Sequence, residues 1–322
     1  MIETALLVTA FLFTVVNGTN AGGALLSTGL NMRSLKPIFG LAVLMLAVAA
    51  APLVVGTQVA TTLVERLVTF DGQAGQLAIL IAVVSCSVVT AVLSRLGLPN
   101  SLTLALVGGI VGAGFGAGME VSWVTIGAVL AAAALAPFIG MVVAYALSAA
   151  MVFVVRGRDV GRAVRRIHIV AFTLQCFAYG ANDGQKMLAV FAVVAGTVNA
   201  GVQAVWWQLL LIALLFGLGA AVGVRRLART IGSGVLPMRP EDAVTAETTT
   251  AAVVLGSAML GAPVGLAQTL SGSLIGCGLR HGYRRVRWRQ ATKIVMAWIL
   301  ALPTTFLLAA VLGAVVDLAG GL

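Results

Sequence analysis

The chain is a succession of apolar stretches separated by short polar joints. Ten can be drawn, over residues 4–30, 37–58, 75–94, 99–116 and 123–154, then 166–198, 205–224, 247–262, 263–279 and 290–316. About 20 consecutive apolar residues suffice to cross the hydrocarbon core of a bilayer. The predicted fold class is therefore all-α: a polytopic membrane protein of about ten spanning or re-entrant helical segments. Glycine and alanine recur within the stretches, as suits helices that approach closely in lipid.

The interruptions come in pairs. Asn17-Gly18-Thr19-Asn20-Ala21 is answered by Tyr179-Gly180-Ala181-Asn182-Asp183, and Gly97-Leu98-Pro99 by Gly261-Ala262-Pro263. Trp123 is answered by Trp288 and Pro137 by Pro303. The separations are 162 (Gly18 to Gly180), 164 (Pro99 to Pro263), 165 (Trp123 to Trp288) and 166 (Pro137 to Pro303). One slowly drifting offset implies a duplication, with residues 1–155 as the first repeat, 156–165 as a basic linker and 166–322 as the second repeat. Five stretches per copy is an odd number, so the second copy is expected upside down, and paired glycine-interrupted segments place a transport site between such repeats.

The charges agree with the inversion. The joint 280–289 carries Arg280, Arg284, Arg285, Arg287 and Arg289, whereas its counterpart 117–122 carries only Glu120. The joint 225–239 carries Arg225, Arg226, Arg229 and Arg239, against Glu65, Arg66 and Asp71 in 59–74. Arg33 and Lys36 follow the first stretch, and the linker holds Arg156, Arg158, Arg162 and Arg165 against Asp159. All the basic joints fall on one predicted side, which the positive-inside rule makes cytoplasmic. The expectation is a multi-pass protein of the plasma (inner) membrane with both termini external. Met1-Ile2-Glu3 lacks the positive start of a signal peptide, so residues 4–16 are expected to remain as part of a span.

Composition narrows the class further. Sixty percent of residues are hydrophobic and 9% charged, against about 25% charged in soluble chains. The net charge of +10 does not argue for nucleic acid, because the arginines sit in the short joints. Cys86, Cys176 and Cys277 lie inside apolar stretches without disulfide or metal spacing. The two histidines, His168 and His281, border basic joints, and no nucleotide-binding Gly-x-x-x-x-Gly-Lys stretch occurs. An enzyme is not expected, nor a metal site or a cofactor beyond a coupling ion.

Polar chemistry concentrates in two places. The stretch 166–198 carries Tyr179-Gly180-Ala181-Asn182-Asp183-Gly184-Gln185-Lys186 in its middle. An ionised residue there costs roughly 2.5–3.5 kcal/mol on insertion scales, so it marks function or a self-neutralising pair. The glycines suggest a helix broken around a buried site, with Asp183 (and Asn20 and Asn182 beside it) holding a coupling cation or proton. Lys186 is a charge partner three residues on. The matching knot at 17–23 keeps its glycines and Asn20 but has no carboxylate. The second place is the pair of segments after Pro99 and Pro263. They carry Ser101 and Thr103 in one copy, and Gln268, Thr269, Ser271 and Ser273 in the other. Hydroxyls and helix N-termini donate well to a tetrahedral oxyanion; serines and threonines in spans also bond back to their own helix. The candidate anion ligands are Ser101, Thr103, Asn20, Asn182, Gln185, Gln268 and Thr269.

At these residues the chain resembles the inorganic phosphate transporter (PiT) family. Gly180-Ala181-Asn182-Asp183-Gly184-Gln185-Lys186 is similar at every position to the family's second knot, and Asn17-Gly18 keeps the start of the first, Asn-Gly-Phe-His-Asp. Arg33-Ser34-Leu35-Lys36-Pro37 is similar to an Arg-Ala-x-x-Pro ending, and Trp298 with Pro303 to a Trp-x-x-Thr-x-Pro ending. Of the paired Gly-x-Pro-Val-Ser-x-Thr-His signature, 97–104 keeps Ser101 and Thr103 but has Leu104 for the histidine. The second copy, 261–268, keeps Pro263 but has Gly265, Ala267 and Gln268. Ala21 stands where the family has an aspartate.

The resemblance implies that knot aspartates and hydroxyls after the prolines form the cation and anion sites, so one cation site is expected to be lost here. The expected function is a secondary active transporter importing inorganic phosphate by alternating access with a proton or sodium ion. The alternatives are a sulfate or other oxyanion permease of the same fold, or a transport-inactive membrane sensor. The partners implied are the oxyanion and membrane lipid, not nucleic acid, with a homodimer left open.

Overall fold

The architecture is known from a computed structural model describing residues 2–30, 35–70, 72–96, 100–154, 160–196, 201–227 and 239–318. Helix α1 (Ile2–Asn17) passes through a π-helical turn (Gly18–Gly22) into α2 (Gly23–Leu30). Then come α3 (Pro37–Val55), a short α4 (Gln58–Thr61) with a second π turn (Thr62–Arg66), α5 (Gly72–Arg95), α6 (Leu102–Gly116) and α7 (Trp123–Val154). The order recurs: α8 (Val160–Tyr179) passes through a π turn (Gly180–Gly184) into α9 (Gln185–Val194), followed by α10 (Trp206–Leu227), α11 (Pro240–Met259), α12 (Leu266–Arg280) and α13 (Trp288–Leu318). No strand occurs among the described residues. Pro37 and Pro240 each open their helix, where a fixed φ and a missing N–H cost nothing.

Three details differ from the sequence reading. The two knots are not breaks: their caps keep right-handed helical backbone angles, and the chain widens into a π turn instead. Such turns bulge side chains out of register without ending the helix. The stretch drawn as 247–262 begins seven residues earlier, at Pro240, because Asp242 accepts the Arg239 N–H at 3.2 Å and caps the helix. The joint drawn as 59–74 holds α4 and its π turn. Arg33, Asp71, Pro99 with its neighbours 97 and 98, Arg156, Arg158, Asp159 and Arg229 lie outside the described residues.

Among the described residues six helices are long and apolar enough to cross a membrane: residues 2–26, 37–55, 72–95, 123–150, 206–224 and 288–318. Helices α8 and α11 are less apolar: α8 carries Arg162, Arg165 and Arg166 near its start, and both helices turn polar groups inward. His168, Gln175, Asp242, Glu247, Thr249 and Thr250 are all buried. Outward faces are apolar, with Phe138, Val142, Leu218, Val222, Leu307 and Val311 at least 60% exposed.

Packing exchanges elements between the halves. Helix α6 lies along α13, and α12 along α7. Glycines make both contacts close. A Cβ at Gly108, Gly112 or Gly116 would meet the carbonyls of Leu302, Phe306 and Ala310 in turn, and one at Gly272 or Gly276 those of Pro137 and Met141. Glycine every fourth residue lets two backbones touch, the small-residue packing that replaces hydrophobic driving force in lipid. The first knot likewise seats on α10 and the second on α3, with Gly18 against Phe216 and Gly180 against Ala47.

Candidate functional site

The two π turns hold their asparagines at equivalent places. Asn20 donates its amide to the Asn100 carbonyl at 3.3 Å, and Asn182 to the Ala262 carbonyl at 3.0 Å. Asn20 also accepts from Ser94 at 3.4 Å, while Asn182 donates to Ser257 at 3.1 Å and accepts from the Val264 N–H at 3.2 Å. Each asparagine thus pins the segment that leads into a short helix, α6 in one half and α12 in the other.

Those short helices begin alike. Their N-caps, Ser101 and Gly265, have nearly the same backbone, φ −90° with ψ 107° and 118°. Ser101 Oγ accepts from the Leu104 N–H and donates to Gln268 Oε1 at 2.8 Å, joining the two helix starts. A Cβ at Gly265 would lie 2.5 Å from Gln268 Oε1 and 3.1 Å from Ser101 Oγ. The missing serine of the second copy is therefore the space that Gln268 fills.

Asp183 and Lys186 lie below these starts. The Lys186 ammonium, fully buried, donates to Asp183 Oδ1 at 2.6 Å, to Thr103 Oγ1 at 2.5 Å and to the Val264 carbonyl at 2.7 Å. All three lysine donors are used, by acceptors from both halves. Asp183 Oδ2 is buried and without a hydrogen-bond partner. Taking such a pair out of water costs several kcal/mol per ion, and it persists only where further hydrogen bonds complete it. In the first half the same two positions, 162 residues earlier, are Ala21 and Ala24: both charges are missing together.

Of the residues singled out from sequence, the structure brings together Ser101, Thr103, Gln268, Asp183 and Lys186. Asn20 and Asn182 are spent on the loops. Gln185 turns away: its Oε1 accepts the N–H groups of Val59 and Ala60 at 2.9 and 3.2 Å, capping α4. Thr269 bonds back to the Gly265 carbonyl, as Ser271 does to Ala267 and Ser273 to Thr269.

Two features escaped the sequence reading. The Tyr179 hydroxyl donates to Asn17 Oδ1 at 3.2 Å, tying the knots to each other. His168 Nε2 meets Glu247 Oε1 at 3.3 Å in a second buried pair. The only signal for it was an acidic residue at the edge of a candidate span. The Asp183–Lys186 cluster, set between two helix N-termini, can neutralise an anion's charge and hold a proton. It has no nucleophile aligned with a base.

Comparison with known proteins gives one consistent answer. The profile described as the phosphate transporter family matches residues 17–161 and again residues 153–309. A probable low-affinity inorganic phosphate transporter of Bacillus subtilis is 26% identical over 95% of this chain and 94% of its own length. One of Mycobacterium leprae is 32% identical over 98% of this chain and 78% of its own. The solved structure titled "The sodium-dependent phosphate transporter" superposes with a TM-score of 0.85 at 20% identity, covering 98% of this chain and 99% of that one. That family is one of transporters, not enzymes. With its repeated knots, its multi-pass helical fold and a family match in each half, the chain belongs to the phosphate transporter family.

Proposed function

We propose that this protein imports inorganic phosphate by alternating access, coupled to one cation taken up at Asp183, and that the cation is a proton. The halves are read as inverted repeats moving about the midplane, in an inner membrane with the basic joints cytoplasmic and both termini outside. The phosphate site is read between the N-termini of α6 and α12, where Ser101, Thr103 and Gln268 converge. Helix N-termini carry partial positive charge, and Lys186 adds a full one when a proton neutralises Asp183.

The carrying observation is the occupancy of the Asp183 neighbourhood. Lys186 already takes the oxygens of Asp183, Thr103 and Val264, the very set a sodium ion would need. What remains is Asp183 Oδ2, which makes no close hydrogen bond, with the Leu266 N–H at the start of α12 facing the carboxylate. A proton needs a single oxygen, whereas sodium needs a shell of several. Ala21 leaves no carboxylate for a second ion.

The test is uptake of labelled phosphate with Thr103→Val. Removing one hydrogen bond to a charged group should weaken apparent phosphate affinity by the equivalent of about 1–3 kcal/mol. Unchanged affinity in a folded variant would remove Thr103 from the site.

A further inference from the structure

The His168–Glu247 pair has no part in the scheme above, yet it joins α8, which runs into the π turn of Asp183, to α11, which packs against α12. Both residues are buried, Glu247 at 1% exposure, with Glu247 Oε2 lacking a hydrogen-bond partner. A carboxyl in that position is expensive in lipid and does nothing for packing that leucine would not do better.

The spacing on α8 is regular. His168 and Gln175 are seven residues, two helical turns, apart and so share one face, and Asn182 follows in the π turn that continues α8. His168 meets Glu247 and Asn182 meets Ser257, both on α11. Gln175 therefore lies between them along the α8–α11 seam, about 10 Å from either by helical rise. Gln175 is fully buried, and neither its Oε1 nor its Nε2 has a partner. Unpartnered oxygens thus mark the start, middle and end of one line: Asp183 Oδ2, Gln175 Oε1 and Glu247 Oε2. Buried polar groups without protein partners are satisfied by ordered water, and Gln175, about 10 Å from the groups on either side, is where such water would bridge them.

The counterpart seam in the first half settles the direction. There, between α1 and α5, Leu6 stands for His168, Phe13 for Gln175 and Val84 for Glu247. Leu6 and Phe13 are buried apolar core. Ser85 and Ser87 on α5 carry orphaned hydroxyls too, but among the described residues only the second half has a buried carboxylate and imidazole on its seam, and it is the half whose helix α8 starts at the basic linker. Beyond Glu247, one and a half turns back along α11, Asp242 meets His281 at 3.0 Å, and the His281 side chain is 22% exposed.

We propose that His168 and Glu247 form a second proton-binding site, joined to Asp183 by a water chain past Gln175, through which the coupling proton leaves to the basic face. The proposal rests on the proton-coupled reading. Around Glu247 the other titratable groups are Cys176 on α8, Asp242 on its own helix, and Cys277 and His281 at the end of α12. The described part of α3 has none, and Arg165 and Arg166 on α8 point outward. Among these, His168 and Glu247 alone are both buried and bonded to each other at the seam.

Net uptake and exchange separate the roles, because exchange of labelled for unlabelled phosphate can proceed with the proton still bound, whereas net uptake needs its release. In proteoliposomes, Glu247→Gln and Gln175→Leu should each lower pH-driven net uptake by about tenfold more than they lower exchange. Glu247→Asp should regain much of the net rate, and raising the inner pH should not rescue Glu247→Gln. Equal losses of net uptake and exchange in both variants would mean that the seam only holds the helices together, and would overturn the path while leaving proton coupling intact. Net uptake in the unaltered protein that follows sodium and carries no proton would overturn both.

Discussion

Tyr179 and Asn17 are counterparts, 162 residues apart, and they are bonded to each other: the tyrosine hydroxyl donates to Asn17 Oδ1 at 3.2 Å. A contact between equivalent positions places the two knots side by side, each one residue before its π turn. Tyr179→Phe keeps the ring against Phe216, 5.1 Å away between centroids, and removes only this tie. Loss of a buried hydrogen bond should destabilise the protein by about 1 kcal/mol. Thermal melting in detergent checks it; a variant as stable as the parent would show that the tie holds nothing.

Asp183→Asn should abolish coupled uptake. It should also strain the fold, because it strips the buried Lys186 ammonium of its counter-charge, a change worth about 3–5 kcal/mol for pairs of this kind. The double variant with Lys186→Gln should recover stability without recovering transport. Melting curves and uptake on the same two preparations separate the roles, and parental uptake rates in the double variant would mean that the pair only neutralises itself.

Close helix contact is expected to be unforgiving at one glycine and indifferent at another. A Cβ at Gly223 would fall on the Thr19 carbonyl, whereas one at Gly256 meets nothing within 4 Å. Gly223→Ala should cost about 1–3 kcal/mol through overpacking. Gly256→Ala, on an exposed face of α11, should be neutral or gain up to about 1 kcal/mol. Paired melting measurements decide it, and equal effects would contradict the contact.

Membrane orientation gives a fourth expectation. Position 284, in the arginine-rich joint before α13, should be closed to an impermeant thiol reagent added outside, and position 120, between α6 and α7, open to it. Single-cysteine variants at Arg284 and Glu120 test this in intact cells. Labelling at 284 but not at 120 would reverse the topology.

The helical architecture was legible because apolar length and paired interruptions are one-dimensional signals. Gly18 and Gly180, or Pro137 and Pro303, mark the same element twice whatever the packing. The knot residues Asp183 and Lys186 were legible for the same reason, as charges inside an apolar stretch. What the sequence could not display was the use of each polar atom. Gln185 adjoins Lys186 in sequence but faces α4, because neighbouring residues on a helix point about 100° apart. Asn182 reads as a ligand until Ser257, Ala262 and Val264, some 80 residues away, take all its bonds. Glu247 reads as the polar edge of a span until His168 closes on it from another helix. Gly265 stands where the paired signature has a serine, and only the position of Gln268 beside Ser101 shows what fills the space.

The most direct measurement is accumulation of labelled phosphate and, separately, labelled sulfate by the purified protein in proteoliposomes, with pH and sodium gradients imposed one at a time. The expected result is accumulation of phosphate, not sulfate, on a pH gradient without sodium, lost in Asp183→Asn. Accumulation that requires sodium, rising steeply as though more than one ion entered per cycle, would contradict coupling to one proton taken up at Asp183.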